Sequence, residues 1–164
     1  MKTEPKLQIR IDLAKPSDAE SIANMSRWLI ETGLPWSWTP RRVASHISSS
    51  NSVVITARTE ERIIGFAIMQ FSDDAAHLNL LAVEPAYQRQ GLGGSLLDWL
   101  EESAIVAGVF FVSLEVRTDN LDAIRFYHDR GYIETGSMPK YYDRTDDATL
   151  FAHDLRTKQV EESN

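Results

Sequence analysis

The chain has 164 residues, no cysteine, and 17 basic against 24 acidic side chains, for a formal net charge of −7. Its length suits one domain with a real core, and 43% hydrophobic with 25% charged residues is the composition of a folded globular protein. Absent cysteine excludes disulfides, thiolate zinc sites and thiol acyl-enzymes, and the negative balance argues against direct nucleic-acid binding, which needs a basic surface.

In chain order, Ile9 to Leu13 is a short strand candidate. Ser17 then opens a helix, with Glu20 as capping-box partner and Ile22, Met25 and Leu29 on one face. Gly33 and Pro35 break it. Thr39 and Pro40 are an N-cap and first-turn pair for a second helix carrying Val43 and Ile47. Val53 to Arg58 and Ile63 to Gln70 read as a hairpin joined by the charged stretch Thr59 to Arg62. Leu78 to Val83 is the next strand. A helix from Gly91 to Ala107 turns Leu96, Leu97, Leu100 and Ala104 inward and stops at Gly108. Phe110 to Val116 is a strand, and Asn120 caps a short helix that ends at Gly131. Tyr132 to Thr135 and Ala148 to Asp154 are the last strands.

This order predicts one α/β domain over residues 1–155 with a mixed sheet, and a frayed tail over 156–164. Met1 to Arg10 lacks the apolar core of a secretory signal, and no apolar run nears the ~20 residues of a membrane span. A cytoplasmic location without membrane contact is therefore expected. His46, His77, His128 and His153 show no close ligand pairing, so no metal is expected. No heptad is visible, which leaves monomer and homodimer open.

The segment Val83 to Gly94 joins a strand to a helix. Its three glycines let backbone N–H groups approach an anion, and Arg89 adds positive charge with no acidic side chain between Tyr87 and Ser95. It is not a Walker loop, since no Lys-Ser or Lys-Thr follows, and it is a poor dinucleotide fingerprint. A tight turn that only permits close helix packing is the alternative.

On the run Ser113 to Arg117, period-two geometry sets Ser113, Glu115 and Arg117 on one face. Glu115 in such an apolar strand is either an ion-pair partner or a base lining a wet cleft. Tyr127, on the stripe with Ala123 and Ile124, reads as a core aromatic or as an acid. His77, expected to share a face with Asn79 and Leu81, is a reserve base or a structural histidine. Trp38 before the second helix packs as a staple on Val43, while Trp36 reads equally as lid or packing.

Val83-x-Pro85 followed by Gln88-x-x-Gly91-x-Gly93 resembles motif A of the GNAT acetyltransferases. The resemblance continues in Leu114-Glu115-Val116-Arg117-x-x-Asn120, Ala123-Ile124-x-x-Tyr127, Gly131-Tyr132, Tyr141-Tyr142 and Asp146-Asp147-Ala148. These are similar to the bacterial ribosomal-protein alanine N-acetyltransferases and related protein N-terminal acetyltransferases.

The resemblance implies a mostly antiparallel sheet flanked by about four helices, with a splayed parallel strand pair that holds the cosubstrate acetyl-CoA. It implies that Gln88, Arg89, Gln90, Gly91, Leu92, Gly93 and Gly94 hold the pyrophosphate, that the main chain of Leu81, Ala82 and Val83 pairs with the pantetheine, and that Asn120 touches it. It assigns the base to Glu115 and the acid to Tyr127. Trp36, Tyr141 and Tyr142 would border the acceptor, a protein N-terminal amine. The segment between Tyr142 and Asp146 is shorter than in the bacterial enzymes, so their ribosomal substrate does not carry over. A small amine such as a polyamine or antibiotic, and a non-catalytic acyl-CoA-binding module, are the alternatives.

Overall fold

A computed structural model describes residues 8–138 and 147–157. The elements follow in the expected order: β1 (Arg10–Leu13), α1 (Ala19–Leu29), α2 (Pro40–Ser48), β2 (Ser52–Arg58), β3 (Ile63–Phe71), β4 (Ala75–Val83), α3 (Leu92–Val106), β5 (Phe111–Arg117), α4 (Leu121–Asp129), β6 (Ile133–Met138) and β7 (Ala148–Asp154). Short 3-10 turns at Pro16–Asp18 and Pro85–Tyr87 precede α1 and α3. The strands form one sheet in the order β1-β2-β3-β4-β5-β7-β6. No helix among the described residues is long and apolar enough to cross a membrane.

The chain divides into two compact units, one running to Ile68 and including Leu80–Asp98, the other combining Met69–Asn79 with Trp99 onward. In the first unit β1 pairs antiparallel with β2, from Arg10↔Arg58 to Leu13↔Ile55. Its core gathers Ile22 and Ala23 from α1, Val43 from α2, Val54, Phe66 and Ile68 from β2 and β3, and Leu80 and Ala82 from β4. Thr39 caps α2 as its sequence predicts, its side chain accepting the Arg42 N–H at 3.3 Å, and Trp38 is buried in the same cluster as Val43.

The entry to α1 differs from the Ser17–Glu20 capping box. A 3-10 turn comes first, and Asp18 does the capping, accepting the Lys15 N–H at 2.8 Å while pairing with Arg58 at 2.8 Å. A shorter acid two residues earlier reaches both the backbone donor and the guanidinium, so it displaces the Glu20 arrangement.

In the second unit β4 runs parallel to β5 from Ala75↔Phe111 to Leu78↔Leu114, and the pairing stops there although β5 continues to Arg117. β5 pairs antiparallel with β7 along its whole length, and β7 with β6 across a bulge between Glu134 and Gly136. Val112, Leu114 and Val116 are buried while the alternating residues of β5 are open, which is the period-two pattern read from the sequence. Asn120 caps α4, its side chain accepting the Ala123 N–H at 3.1 Å, and Gly131 leaves the helix at φ +91°. Leu155 is fully buried, and Arg156 forks onto Asp154.

Candidate active site

The glycine turn lies in the first unit. The 3-10 turn Pro85–Tyr87 lowers the chain off β4, and the Gln88 side chain folds back to donate to the Val83 carbonyl at 2.8 Å. The Gln88 N–H donates to Pro85 O at 3.3 Å, so Gln88 closes the turn and has no backbone donor left for a ligand. Beyond it the backbone becomes left-handed at Arg89, φ +64°, and again at Gly91, φ +81°. A left-handed non-glycine residue costs strain, which an arginine tolerates only where the surrounding turn fixes it.

The α3 ladder starts with the Ser95 N–H on the Gly91 carbonyl at 3.0 Å. The amides of Arg89, Gln90, Gly91, Leu92, Gly93 and Gly94 make no backbone hydrogen bond among the described residues. They form a run of donors at a helix N-terminus, the electrostatic counterpart of a phosphate group. Nothing lies within 4 Å of where a Gly91 Cβ would sit, so the approach to these amides is open. Leu92 and Leu96 are buried and anchor the turn from beneath. Glu84, whose charge would oppose an anion, is tied to Arg62 in an ion pair.

Leu81 is half-buried, and Ala82 and Val83 are buried, at the end of β4. Gly65 on β3 allows this close packing: a Cβ there would stand 3.1 Å from the Ala82 carbonyl oxygen and 3.4 Å from Leu96. A strand glycine is weak as a sequence signal, and no local pattern announces this role.

The second unit holds the acid–base candidates. Glu115 is exposed on β5, two residues from Ser113, whose hydroxyl meets His77 Nδ1 at 2.9 Å across the β4–β5 register. Asn79 follows on β4 where that register ends, and its Oδ1 is buried without a hydrogen-bond partner. Asn120 is exposed, with its oxygen engaged as the helix cap.

Tyr127 is buried in the last turn of α4. Phe126 and Tyr132 meet its ring edge-on at centroid distances of 5.0 and 5.6 Å. Burial pushes the Tyr127 phenol well above its ordinary value, so it keeps its proton throughout the physiological range.

Behind it lies a buried polar group that sequence patterns do not single out. The Tyr132 hydroxyl donates to Glu101 Oε2 at 2.8 Å, and His153 Nδ1 stands 3.8 Å from the same oxygen. Residues far apart in the chain supply its members, so no local spacing betrays it.

On the side expected to border the acceptor, Trp36 is half-buried and its indole N–H donates to the Ala23 carbonyl at 3.3 Å. The loop after α1 is organised by Glu31, which is buried and accepts from Ser26 Oγ at 2.9 Å, Ser37 N and Oγ at 2.7 Å each, and Trp38 N at 3.2 Å. Burial raises the Glu31 pKa, but the hydrogen bonds from Ser37, Ser26 and Trp38 outweigh it, and the net shift is downward. Tyr141 and Tyr142 lie outside the described residues.

Known proteins share this fold. Residues 22–132 match the model of the Acetyltransferase (GNAT) family. The chain is 42% identical over 94 residues to the ribosomal protein bS18-alanine N-acetyltransferase of Escherichia coli K12, a match covering 56% of this chain and 64% of that protein, just under two thirds of its length. It is 29% identical over 144 residues to N-alpha-acetyltransferase RimI of Mycobacterium tuberculosis, covering 85% of this chain and 86% of that one. The crystal structure of the Escherichia coli ribosomal-protein alanine N-acetyltransferase superposes with a TM-score of 0.78 at 30% identity, over 90% of this chain and 94% of that chain. A Thermoplasma acidophilum N-acetyltransferase in complex with coenzyme A shares the fold at a TM-score of 0.77 and 17% identity, over 90% of this chain and 99% of that one. The chain belongs to the GNAT acetyltransferase family.

Proposed function

We propose that this protein is an acetyl-CoA-dependent N-acetyltransferase acting on the α-amine of a protein N-terminus. The observation that carries the reading is the run of unpartnered amides from Arg89 to Gly94, bent through two left-handed residues at the start of α3. Such a cradle suits a diphosphate, which six N–H donors without a backbone partner and a helix dipole stabilise without a metal ligand set. That two relatives are named for acetylating alanine or α-amines supports the choice of acceptor.

In this reading the protein brings the amine and the thioester together and lets the nitrogen attack directly, since no cysteine is available for an acyl-enzyme. The main chain of Leu81 to Val83 orients the pantetheine arm and polarises the acetyl carbonyl. Glu115, through a water, takes the proton that the ammonium must lose before nitrogen can attack. The C–N bond forms, the C–S bond breaks, and Tyr127 hands its proton to the departing sulfur. The second proton, released by the new amide nitrogen, restores the phenol by way of solvent. A buried phenol is a weaker acid than a solvated one. Desolvation raises the basicity of a thiolate in the same surroundings too, so the two shifts offset, and the proton passes only as charge develops on sulfur in the transition state.

Release of free thiol from acetyl-CoA, measured against peptides with free N-termini, lysine peptides and polyamines, tests the assignment. Turnover restricted to free N-termini is the expected result. Turnover restricted to polyamines or other small amines would replace the acceptor, and binding of CoA without turnover of any amine would favour a non-catalytic acyl-CoA-binding module.

A further inference from the structure

Residues 21–53 hold three arginines, Arg27, Arg41 and Arg42, and a single acid, Glu31, in a chain of net charge −7. Glu31 does not neutralise them, because its carboxylate is buried and already accepts from Ser26, Ser37 and Trp38. His46 adds no charge, held below its ordinary pKa by burial and by Arg42. All three arginines are exposed, and none of them forms an ion pair among the described residues.

Indoles hold two of them instead. The Arg27 guanidinium sits 5.2 Å from the Trp28 ring centroid and 5.0 Å from that of Trp36, and the Arg42 guanidinium sits 3.8 Å from that of Trp38. Trp28 itself is 68% exposed, an uncommon state for so large an apolar ring. A guanidinium steadied by an aromatic face keeps its N–H fork available and loses less freedom when it meets a carboxylate. Acidic elsewhere, this surface is basic and aromatic.

We propose that the Arg27, Trp28, Arg41 and Arg42 surface docks an acidic segment of the acceptor protein, downstream of the amine that is acetylated. The proposal rests on the N-terminal acetyltransferase reading. Three cations match two or three carboxylates of one segment, which the arginine forks take bidentately, while the exposed Trp28 offers that segment an apolar face. A nucleic acid fits less well: its long-range charge is repelled by a molecule at −7, and three cations release few counterions.

Two acceptor peptides of equal length, one carrying a downstream Glu/Asp cluster and the other Gln/Asn at the same positions, test the docking on the full chain. The acidic peptide is expected to show a five- to tenfold higher kcat/KM, about what a few arginine–carboxylate contacts at a surface supply. That advantage disappears in Arg27→Gln/Arg42→Gln, while kcat and turnover of the Gln/Asn peptide stay at the wild-type level and certify the fold. Equal kcat/KM for the two peptides in the wild type overturns the proposal, as does an advantage that survives in the double variant.

Should neither peptide be acetylated, the acetyltransferase reading fails first, and docking is judged by tryptophan emission with an N-terminally blocked acidic peptide. A saturable change that the double variant loses supports docking. No saturable change, or tighter binding of a single-stranded RNA of the same charge, overturns it.

Discussion

Tyr127 and Glu31 show how burial gives single residues their chemistry. Tyr127 is sealed by Phe126 and Tyr132, and desolvation alone raises its phenol. Replacing it with Phe keeps the packing and removes only the proton, so turnover should fall about 10²-fold with CoA affinity unchanged; parallel loss of both would mean the ring only packs. Glu31 has its pKa lowered below the ordinary 4.5 by the donors of Ser37, Ser26 and Trp38 working against burial. The sign follows. A carboxylate whose folded pKa lies below its unfolded value contributes stability that is full above about 4.5 and is lost as pH falls through the folded value. Glu31→Gln should therefore cost about 1–3 kcal/mol near neutrality and flatten the loss of Tm between about pH 5 and pH 3. A variant that melts in parallel with the wild type over that range would contradict this. The role of Glu31 is not legible in the sequence, because its partners are gathered by the loop after α1 and not by a repeating pattern.

Elements were more legible than contacts. Apolar periodicity, the Thr39 and Asn120 caps and the glycines at the ends of α3 and α4 are local signals, and each element they announce is present. The start of α1 was misplaced because Asp18 has a distant partner, Arg58, that no local rule contains. At Gly65 nothing local signals the Ala82 carbonyl that packs against it. The turn before α3 was legible through its glycines, but the bond from the Gln88 side chain to the Val83 carbonyl was not. Asn120 allows its two roles to be separated. Ser caps a helix as well as Asn does, whereas Ala costs about 1 kcal/mol. Asn120→Ser should therefore keep the wild-type Tm and still weaken CoA binding several-fold, by losing the amide contact. Unchanged affinity in that variant would reduce Asn120 to a cap.

For the molecule as a whole, charge and fold point the same way. A chain at −7 draws a cationic amine toward it, and that attraction is screened by salt. Raising ionic strength from about 0.05 to 0.3 M should lower kcat/KM for a peptide acceptor while leaving kcat in place; a fall in kcat alone would point to a salt-sensitive fold. Family membership fixes the fold and the turn, while the acceptor is decided by surfaces such as the arginine–indole face, where sequence patterns are weakest.

The most direct measurement is a calorimetric titration with CoA of the wild type beside Gly91→Ala and Gly108→Ala. Both glycines are left-handed, φ +81° and +78°, and neither Cβ would meet an atom within 4 Å, so both variants carry the same backbone strain of about 1–2 kcal/mol. Saturable binding by the wild type and Gly108→Ala, with at least a tenfold loss in Gly91→Ala at a matched fall in Tm, is the predicted result. No heat with the wild type, or Gly91→Ala binding as tightly as Gly108→Ala, would contradict the claim that these amides hold the diphosphate.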